Sequence, residues 1–301
     1  MHGLCRREPV LEPLGTVAIV GVGLIGGSIG LAVRARGLAG CVVGVGRDEA
    51  RLAEAVRFGA IDVATTDAAN GVAEADVVVV CTPVTRIADD VRHAAEHGPE
   101  GLLITDAGST KHRIVEAVER HARARALFVG GHPIAGSDRK GVAFADANLF
   151  EGRACVLTPT GRTPADRLRR ARGFWGRLGC RILETDPVAH DAALARTSHL
   201  PHAVAAALAA SIPVELLTMV GGAYRDGTRV AGSDPELWTA IFLENRRPIL
   251  DALGIFQGQV SAFKRALMAG DADAIRRWWE DARALRARFD AQTTPREALE
   301  D

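Results

Sequence analysis

The first half of the chain alternates short, continuously apolar runs with segments whose apolar residues recur at helical spacing. The apolar runs predict strands at 16–20, 41–45, 76–81, 102–106, 126–131 and 154–159. Runs that are apolar at every position are typical of strands buried on both faces of a parallel sheet. Helix-compatible segments, including 26–37, 48–58 and 110–123, separate these strands. The alternation predicts a doubly wound, mostly parallel α/β sheet with helices on both faces.

The pattern changes near residue 187, because no convincing strand follows it. Helical stretches are predicted at 190–212, 213–222, 235–268 and 271–291, followed by a polar tail at 293–301. The sequence therefore predicts an N-terminal extension at 1–13, an α/β domain at 14–187 and an all-helical domain at 188–301.

The third helical stretch carries its own start and interruption signals. Ser233 or Asp234 can cap it, and Pro235 suits the first turn of a helix. Pro248 and Gly254 lie inside the stretch and predict a break or a kink there.

Composition and charge narrow the class of protein. Lys and Arg together number 37, as do Asp and Glu, so the charge balance predicts neither a nucleic-acid partner nor binding to an anionic membrane. No run approaches the roughly 20 apolar residues of a membrane span, and residues 1–15 lack the apolar core of a signal peptide. The cysteines are scattered without a CxxC motif, which favours a reducing cytoplasm.

A glycine-rich loop follows the first predicted strand and opens a helix. Gly21, Gly23 and Gly26 form the GxGxxG pattern, in which the glycines permit a tight turn, close approach to a pyrophosphate and close helix packing. The helix N-terminus offers free N–H groups to phosphates. This context predicts a Rossmann-type dinucleotide site that binds NAD or NADP. The predicted cofactor-binding residues are Gly21, Gly23, Leu24, Ile25, Gly26, Arg47, Thr82, Pro83 and Ser109.

The end of the second strand bears on the choice between NAD and NADP. The position that carries an acid in NAD-specific sites is Gly46 here, and Arg47 follows it. A guanidinium can form charge-assisted bonds to a 2′-phosphate, so we expect NADP to be accepted. Two alternatives stay open: Arg47 is a solvated residue or stacks on adenine, and Asp48 serves NAD.

Two short polar runs follow later strands, at the sheet edge where ligands bind in such folds. The run "TDAGSTK" (105–111) contains Ser109, and the run "GGHPIAGSDRKG" (130–141) contains His132. A neutral imidazole accepts a hydroxyl proton near pH 7, and an adjacent serine can orient it. The alternative for His132 is a hydrogen-bonded turn residue.

Several motifs together resemble one family. The stretches "GVGLIGGSIG", "DAGSTK", "GGHPIAG", "NLFEGRACVLTPT", "HDAALARTSHLPHA" and "GTRVAGSDPELWTAIFLEN" are similar to those of prephenate/arogenate (cyclohexadienyl) dehydrogenases and occur in the same order between residues 15 and 250. The resemblance implies oxidation of prephenate, or of its transaminated form arogenate, by hydride transfer to a nicotinamide. Loss of CO2 then yields an aromatic phenol for tyrosine biosynthesis.

The resemblance also implies roles for individual residues. His132 would accept or hydrogen-bond the substrate hydroxyl proton, and Ser109 would hold His132 and lie near the nicotinamide. Arg229, steadied by Asp226, would bind a substrate carboxylate, and His202 would line the pocket beside the pyruvyl side chain. Further pocket or supporting positions are Ser198, His199, Asp138 and Trp238.

The three histidines His190, His199 and His202 also raise the possibility of a metal site. Their spacing is not that of a helical metal pair, and no nearby Cys or Glu completes a ligand set, so no metal is expected. His202 is interpreted as a pocket residue for an anionic substrate, and His190 with Asp191 as the start of a helix.

Three features depart from the family pattern or refine it. Gly46 replaces a common acid, and Asp138 replaces a common Glu and reaches less far. His202 resembles prephenate-using or dual-specificity members more than arogenate-specific ones.

The apolar faces of the helical domain predict a homodimer. The remote alternatives are a 3-hydroxy acid dehydrogenase, which generally uses a lysine in its helical domain, and a non-catalytic dinucleotide sensor.

Overall fold

The computed structural model describes residues 14–136 and 139–293, and in this part of the chain the predicted sheet has eight strands. They are β1 (Leu14–Val20), β2 (Ala39–Val45), β3 (Val63–Thr65), β4 (Val77–Val80), β5 (Leu103–Asp106), β6 (Phe128–Pro133), β7 (Ala154–Thr158) and β8 (Arg181–Glu184). Their order is β3-β2-β1-β4-β5-β6-β7-β8. All neighbouring pairs are parallel except β6 and β7, so the doubly wound, mostly parallel fold is confirmed.

Two strands were not predicted, and both lie at an edge of the sheet. The three-residue β3 has no buried residue, and none of the four residues of β8 is buried. Since edge strands bury little, neither has the continuous apolar run by which the central strands were recognised.

Helices of the sheet region cover both faces. They are α1 (Leu24–Ala35), α2 (Glu49–Arg57), α3 (Ala68–Val72), α4 (Ile87–His97), α5 (His112–Glu119), α6 (Ala122–Leu127) and α7 (Ala165–Arg177). Strand β4 shows the two layers most clearly: Val77 and Val79 belong to one core cluster, and Val78 and Val80 to the other. Successive residues of a strand point to opposite faces of the sheet. All four side chains are at most 1% exposed, so both faces are covered at this strand.

Helical structure then continues to the end of the described chain, as predicted. The elements are α8 (Pro187–Leu194), a π-helical turn (Ala195–His199), α9 (Leu200–Ala210), a 3-10 turn (Val214–Met219), α10 (Gly222–Thr228), a 3-10 turn (Arg229–Gly232), α11 (Pro235–Glu244), α12 (Arg246–Ala269) and α13 (Ala272–Thr293). Asp234 caps α11 by accepting a hydrogen bond of 2.9 Å from the Glu236 N–H, so the predicted start is confirmed.

The break in the third predicted stretch lies at Asn245, not at Pro248 or Gly254. Asn245 has non-helical backbone angles (φ −105, ψ 28) and ends α11. Pro248 falls in the first turn of α12, where the missing N–H has no intrahelical partner to lose. Gly254 lies inside α12, since a single glycine lowers helix stability without ending the helix.

The chain divides into two compact units, and the division falls between Pro248 and Ile249. In the second unit the rings of Phe263 and Trp278 lie 4.9 Å apart, and the Trp278 indole N–H donates to Gln259 Oε1 at 3.2 Å. The predicted domain boundary near residue 187 stays a prediction. The extension at 1–13 and residues 294–301 of the polar tail lie outside the described residues. Of the described helices, none is both long and apolar enough to cross a membrane.

Candidate active site

The glycine loop between β1 and α1 has the geometry expected of a phosphate-binding turn. Gly21 has a φ of +96, and a Cβ there would lie 2.9 Å from the Cys81 carbonyl oxygen. A Cβ on Gly26 would lie 2.2 Å from the carbonyl oxygen of Gly21, whereas a Cβ on Gly23 would meet nothing within 4 Å. The side without a Cβ at Gly23 is therefore open for a ligand, while Gly21 and Gly26 allow the turn and the packing.

The N-terminus of α1 is free to bind an anion. Gly23 precedes the helix and provides no side-chain cap, and the first turn has no acidic residue. Leu24 and Ile25, which open the helix, are half-buried. Free N–H groups and the positive end of the helix dipole favour a phosphate at this position.

The loop after β4 lies directly against the glycine loop, since the Cβ position of Gly21 is 3.1 Å from the Thr82 backbone nitrogen. The Thr82 hydroxyl donates a 2.6 Å hydrogen bond to Asp90 in α4, so its side chain is already engaged. Pro83 is exposed. The place of Thr82 and Pro83 in the cofactor site stays a prediction.

The residues after β2 have distinct surroundings. Asp48 caps α2, and its Oδ1 accepts from the N–H groups of Ala50 and Arg51 at 3.0 and 3.2 Å. Arg47 is exposed. The capping bonds engage the Asp48 carboxylate, which makes Asp48 less suited to bind a ribose hydroxyl.

His132 lies in β6 and is only 8% exposed. Its Nδ1 is 2.9 Å from the Nε2 of His190, with the rings packed edge to face. Burial, followed by the effects of His190, Lys111 and His199, holds the pKa of His132 well below its ordinary value of 6.5. His132 is therefore a neutral imidazole at neutral pH, as a proton acceptor must be.

His190 and Asp191 do not form the start of their own helix, which corrects that interpretation. Asp186 caps α8, accepting from Val188 N–H and Ala189 N–H. His190 Nδ1 lies 2.8 Å from Asp191 Oδ1. The Asp191 carboxylate reaches the start of α5, where it accepts from the Lys111 and His112 N–H groups at 2.8 and 3.0 Å.

The surroundings of Asp191 keep it ionised. Burial alone would raise the pKa of its carboxyl, but the bonds from His190 and the two backbone N–H groups bring that pKa below the ordinary value. Three donors on one carboxylate favour its charged form.

Ser109 follows β5 and is half-buried. Among the described residues the Ser109 hydroxyl has no hydrogen bond, and the side-chain partner of the His132 ring is His190 instead. Its proposed place beside the nicotinamide stays a prediction.

A buried ion pair lies beneath these loops. The Lys111 ammonium and the Asp106 carboxylate are in direct contact, and both side chains are 0% exposed. Asp106 also accepts from the N–H groups of Gly108 and Gly131, each at 3.0 Å. Since Gly131 immediately precedes His132, Asp106 fixes the backbone that carries the imidazole.

The other two histidines of the predicted site are His199, in the π-helical turn that joins α8 to α9, and His202, in α9 itself. His199 is 1% exposed, and its Nδ1 lies 3.0 Å from Asn245 Nδ2. The same amide donates to the Asp191 carbonyl oxygen at 2.8 Å. Burial, partly offset by Asp191, lowers the pKa of His199 to about 4. These contacts give His199 a supporting position.

His202 faces a more open environment. Its ring stacks on Trp238 with centroids 3.6 Å apart, and its Nδ1 lies 2.9 Å from the Ser198 carbonyl oxygen. Burial is the main cause that lowers the pKa of His202, and the positive charge of Arg229 adds to it. Ser198 belongs to the π-helical turn, a feature frequent at functional sites.

Arg229 opens the 3-10 turn after α10 and is exposed. Its predicted partner Asp226 forms no ion pair with it among the described residues. Asp138, the other predicted pocket acid, lies outside the described residues.

The structure thus joins predicted residues through a chain of contacts. His132 bonds His190, which bonds Asp191; Asn245 links Asp191 to His199. His199 and His202 both pack on Trp238. Sequence reasoning missed the parts of Lys111, Asp106 and Asn245, although Asp106 and Lys111 stand in the quoted motif "DAGSTK" and Asn245 ends the motif "GTRVAGSDPELWTAIFLEN". Within residues 14–136 and 139–293 no group of three or more His, Cys, Asp or Glu side chains is arranged so that it could hold a metal ion.

Comparison with known proteins agrees with this geometry. Residues 29–184 match the model of the prephenate dehydrogenase nucleotide-binding domain, and residues 186–281 match that of the prephenate dehydrogenase dimerization domain. The chain is 32% identical to prephenate dehydrogenase of Bacillus subtilis over 278 residues, covering 90% of this chain and 75% of the relative. It is 30% identical to cyclohexadienyl dehydrogenase of Zymomonas mobilis, covering 90% and 94%.

A solved structure has the same fold over nearly the whole chain. Prephenate dehydrogenase from A. aeolicus, in complex with hydroxyphenyl propionate and NAD+, superposes with a TM-score of 0.86 at 31% sequence identity. The match covers 93% of this chain and 99% of that one.

Proposed function

The chain belongs to the prephenate dehydrogenase family, and we propose that it converts prephenate to 4-hydroxyphenylpyruvate and CO2 in tyrosine biosynthesis, with hydride transfer to NAD or NADP. The observation that carries the proposal is the contact chain from His132 to Trp238 and His202, in a fold with an open glycine loop. A non-catalytic dinucleotide sensor would need the glycine loop but not this series of side-chain contacts.

The residues around the glycine loop fit a dinucleotide. Gly23 leaves room for a pyrophosphate, and the uncapped α1 supplies N–H donors to it. The bound nicotinamide supplies the hydride acceptor. The protein's own task is to place the substrate hydroxyl, its C4–H bond and the cofactor in reach of one another.

His132 is the proposed proton acceptor. Its buried ring is neutral at neutral pH, so it can take the proton of the substrate hydroxyl as the hydride leaves C4. The carbonyl formed at C4 then draws the electrons of the leaving carboxylate, and the ring becomes aromatic. Aromatisation drives this step, so the protein needs no metal ion or Schiff base for it.

Prephenate carries two carboxylates, and the proposed pocket offers donors for them. Arg229 would bind one through its planar guanidinium fork. His202, Ser198 and Trp238 would line the side-chain end of the substrate, with Asp138 as a further proposed contact. His199 would act by supporting Trp238.

For the cofactor, we favour acceptance of NADP. Gly46 puts no carboxylate near the 2′-position, Asp48 is engaged in capping α2, and Arg47 is exposed. These three observations support a site in which a 2′-phosphate meets a guanidinium rather than a carboxylate.

The test is absorbance at the reduced-nicotinamide band, with purified protein, prephenate, and NAD or NADP in separate cuvettes. We expect a rise that depends on prephenate and is at least 10²-fold slower with His132→Asn, since a general base contributes about 10²–10⁴-fold. A rise with arogenate alone would overturn the substrate assignment. No rise in absorbance with either substrate, from protein that still binds a dinucleotide, would favour a non-catalytic dinucleotide sensor.

We also propose a homodimer formed through the helical region. In the second compact unit, large apolar side chains of α12 and α13 are exposed, including Leu267 at 59%, Trp279 at 65% and Leu285 at 66%. Exposed apolar side chains on neighbouring helices are typical of an interaction surface. Sedimentation velocity should give a dimer for the wild type and a monomer for Trp279→Glu with Leu285→Glu. A monomeric wild type would refute the dimer, and the exposed Arg277→Glu serves as the charge control.

A further inference from the structure

We propose that His190 and Asp191 are positioning residues that fix the tautomer of His132, so that its Nε2 always carries the lone pair. The inference rests on the proposed function, in which His132 accepts a proton. It replaces Ser109, the residue expected to orient His132, with a buried pair from the first helix of the C-terminal region.

The hydrogen bonds that join His132, His190 and Asp191 are called the relay here. Their direction is set at Asp191. Lys111 N–H and His112 N–H can only donate, and they bond Oδ1 and Oδ2 of Asp191 respectively. Both oxygens of Asp191 must therefore accept. The N-terminus of α5 adds a favourable dipole, so the ionised carboxylate is the stable form at this position.

An ionised Asp191 dictates the proton positions on His190. His190 Nδ1 lies 2.8 Å from Asp191 Oδ1, so this nitrogen must carry the hydrogen and donate. In a neutral imidazole the other nitrogen is then an acceptor. His190 Nε2 therefore presents a lone pair to His132.

The same argument applies once more at His132. Its Nδ1, 2.9 Å from His190 Nε2, must donate, which leaves the lone pair on His132 Nε2. The opposite tautomer would present an N–H to the substrate hydroxyl and could not accept its proton. When His132 Nε2 takes that proton, the Nδ1–H bond to His190 remains, and the Asp191 charge stabilises the imidazolium.

No other described group fixes the tautomer of His132. His190 and Asp191 are 0% and 3% exposed, so water does not compete for their bonds. Lys111 and His199, like His190, lower the pKa of His132 through their charge, but among the described contacts only His190 bonds a ring nitrogen of His132. Asp106 is engaged by Lys111, Gly108 and Gly131. The tautomer therefore depends on His190.

Two variants at residue 190 separate the relay from simple packing. His190→Leu fills much of the space but removes the acceptor, and we expect kcat with prephenate to fall about 10²-fold or more with little change in KM. His190→Gln keeps an amide oxygen that can accept from His132 Nδ1–H, and we expect it to recover most of kcat. Equal kcat in the wild type and His190→Leu would overturn the proposal, as would equal losses in both variants.

A spectroscopic measurement tests the tautomer without any turnover. In protein labelled with ¹⁵N in its imidazoles, the His132 signals, assigned by their loss in His132→Asn, should show a protonated Nδ1 and an unprotonated Nε2 at neutral pH. Once its His132 signals are assigned, the wild-type spectrum decides the point even if a variant at residue 190 fails to fold, and an Nε2–H form would refute the proposal. Because the spectrum needs no substrate, a correct tautomer in protein that leaves prephenate unchanged would refute the proposed function and not the relay.

Discussion

The imidazole of His202 stacks on the indole of Trp238, with ring centroids 3.6 Å apart and an interplanar angle of 25°. The two residues come from separate helices, α9 and α11. Trp238 also packs against His199 at 6.0 Å and Phe242 at 5.4 Å. The indole thus holds the proposed substrate-binding histidine in place from a different part of the chain.

Removing the indole should weaken substrate binding more than chemistry. Trp238→Leu loses the stack, which is worth about 0.5–1.5 kcal/mol beyond burial, and frees His202 to adopt other rotamers. We expect KM for prephenate to rise about tenfold, as a loss of 1.4 kcal/mol would produce, while kcat changes little. Trp238→Phe keeps an aromatic face and should recover part of the affinity. A fall in kcat with unchanged KM in Trp238→Leu would contradict this role.

The cofactor preference should depend on Arg47. Arg47→Ala removes the guanidinium proposed to bind a 2′-phosphate, and a charge-assisted hydrogen bond is worth about 1.5–3 kcal/mol. We therefore expect kcat/KM for NADP to fall about 10- to 100-fold while that for NAD changes little. Steady-state rates with each cofactor measure the difference. Arg51→Ala, at another exposed arginine, in α2, is the matched control, and equal losses with NAD and NADP would show that Arg47 does not select phosphate.

Gly46→Asp provides the converse test. A Cβ there would lie 3.2 Å from Leu52 Cδ2, the end of a flexible side chain, so the substitution fits with a small adjustment. The new carboxylate can accept from a ribose 2′-hydroxyl and repels a 2′-phosphate. We expect the ratio of NAD to NADP activity to rise at least tenfold; an unchanged ratio would mean that the position does not face the ribose.

Much of the fold was predictable because its signals are local. The strand at Val77–Val80 is apolar at every position, and Gly21 and Gly26 each lack room for a Cβ, as the GxGxxG spacing predicts. Asp234 is one of the two candidate caps that the sequence places before Pro235. Such features depend on residues a few positions apart, and sequence patterns capture them.

The unpredicted parts of the site depend on contacts between distant residues. Lys111 and Asp191 are 80 positions apart, and His132 and His190 are 58 apart. No periodicity in the sequence indicates that α8 places His190 against His132 of β6. The break at Asn245 was missed for the same reason, since its side chain bonds Asp191 and His199 across the fold.

The buried ion pair between Lys111 and Asp106 should be critical to stability only when one partner is removed. Lys111→Met leaves the Asp106 carboxylate buried without its counter-charge, and we expect a loss of about 3–5 kcal/mol in the free energy of unfolding. Lys111→Met with Asp106→Asn removes both charges, and the amide oxygen can still accept from the Gly131 N–H. The double variant should recover most of the loss. Urea unfolding at pH 7 gives both values, and a double variant less stable than the single one would contradict the argument.

His199 should make the protein sensitive to acid. Its pKa is about 4 in the folded state and should be near the ordinary 6.5 when the chain unfolds. The unfolded state therefore binds a proton first as the pH falls, so the contribution to stability is fully present above pH 6.5 and is lost between pH 6.5 and about 4. The shift corresponds to about 2 kcal/mol lost between pH 7 and pH 5.

His199→Asn isolates that contribution. The asparagine Oδ1 can take the place of the ring Nδ1 and accept from the Asn245 amide, but it does not titrate. Urea unfolding of both proteins at pH 7 and pH 5 measures the difference, and we expect the variant to lose about 2 kcal/mol less than the wild type over this interval. His121→Asn, which makes the same substitution at an exposed histidine, is the matched control. If His199→Asn and the wild type lose the same free energy, His199 is protonated in the folded protein at pH 5, and the bond from Asn245 does not hold it neutral.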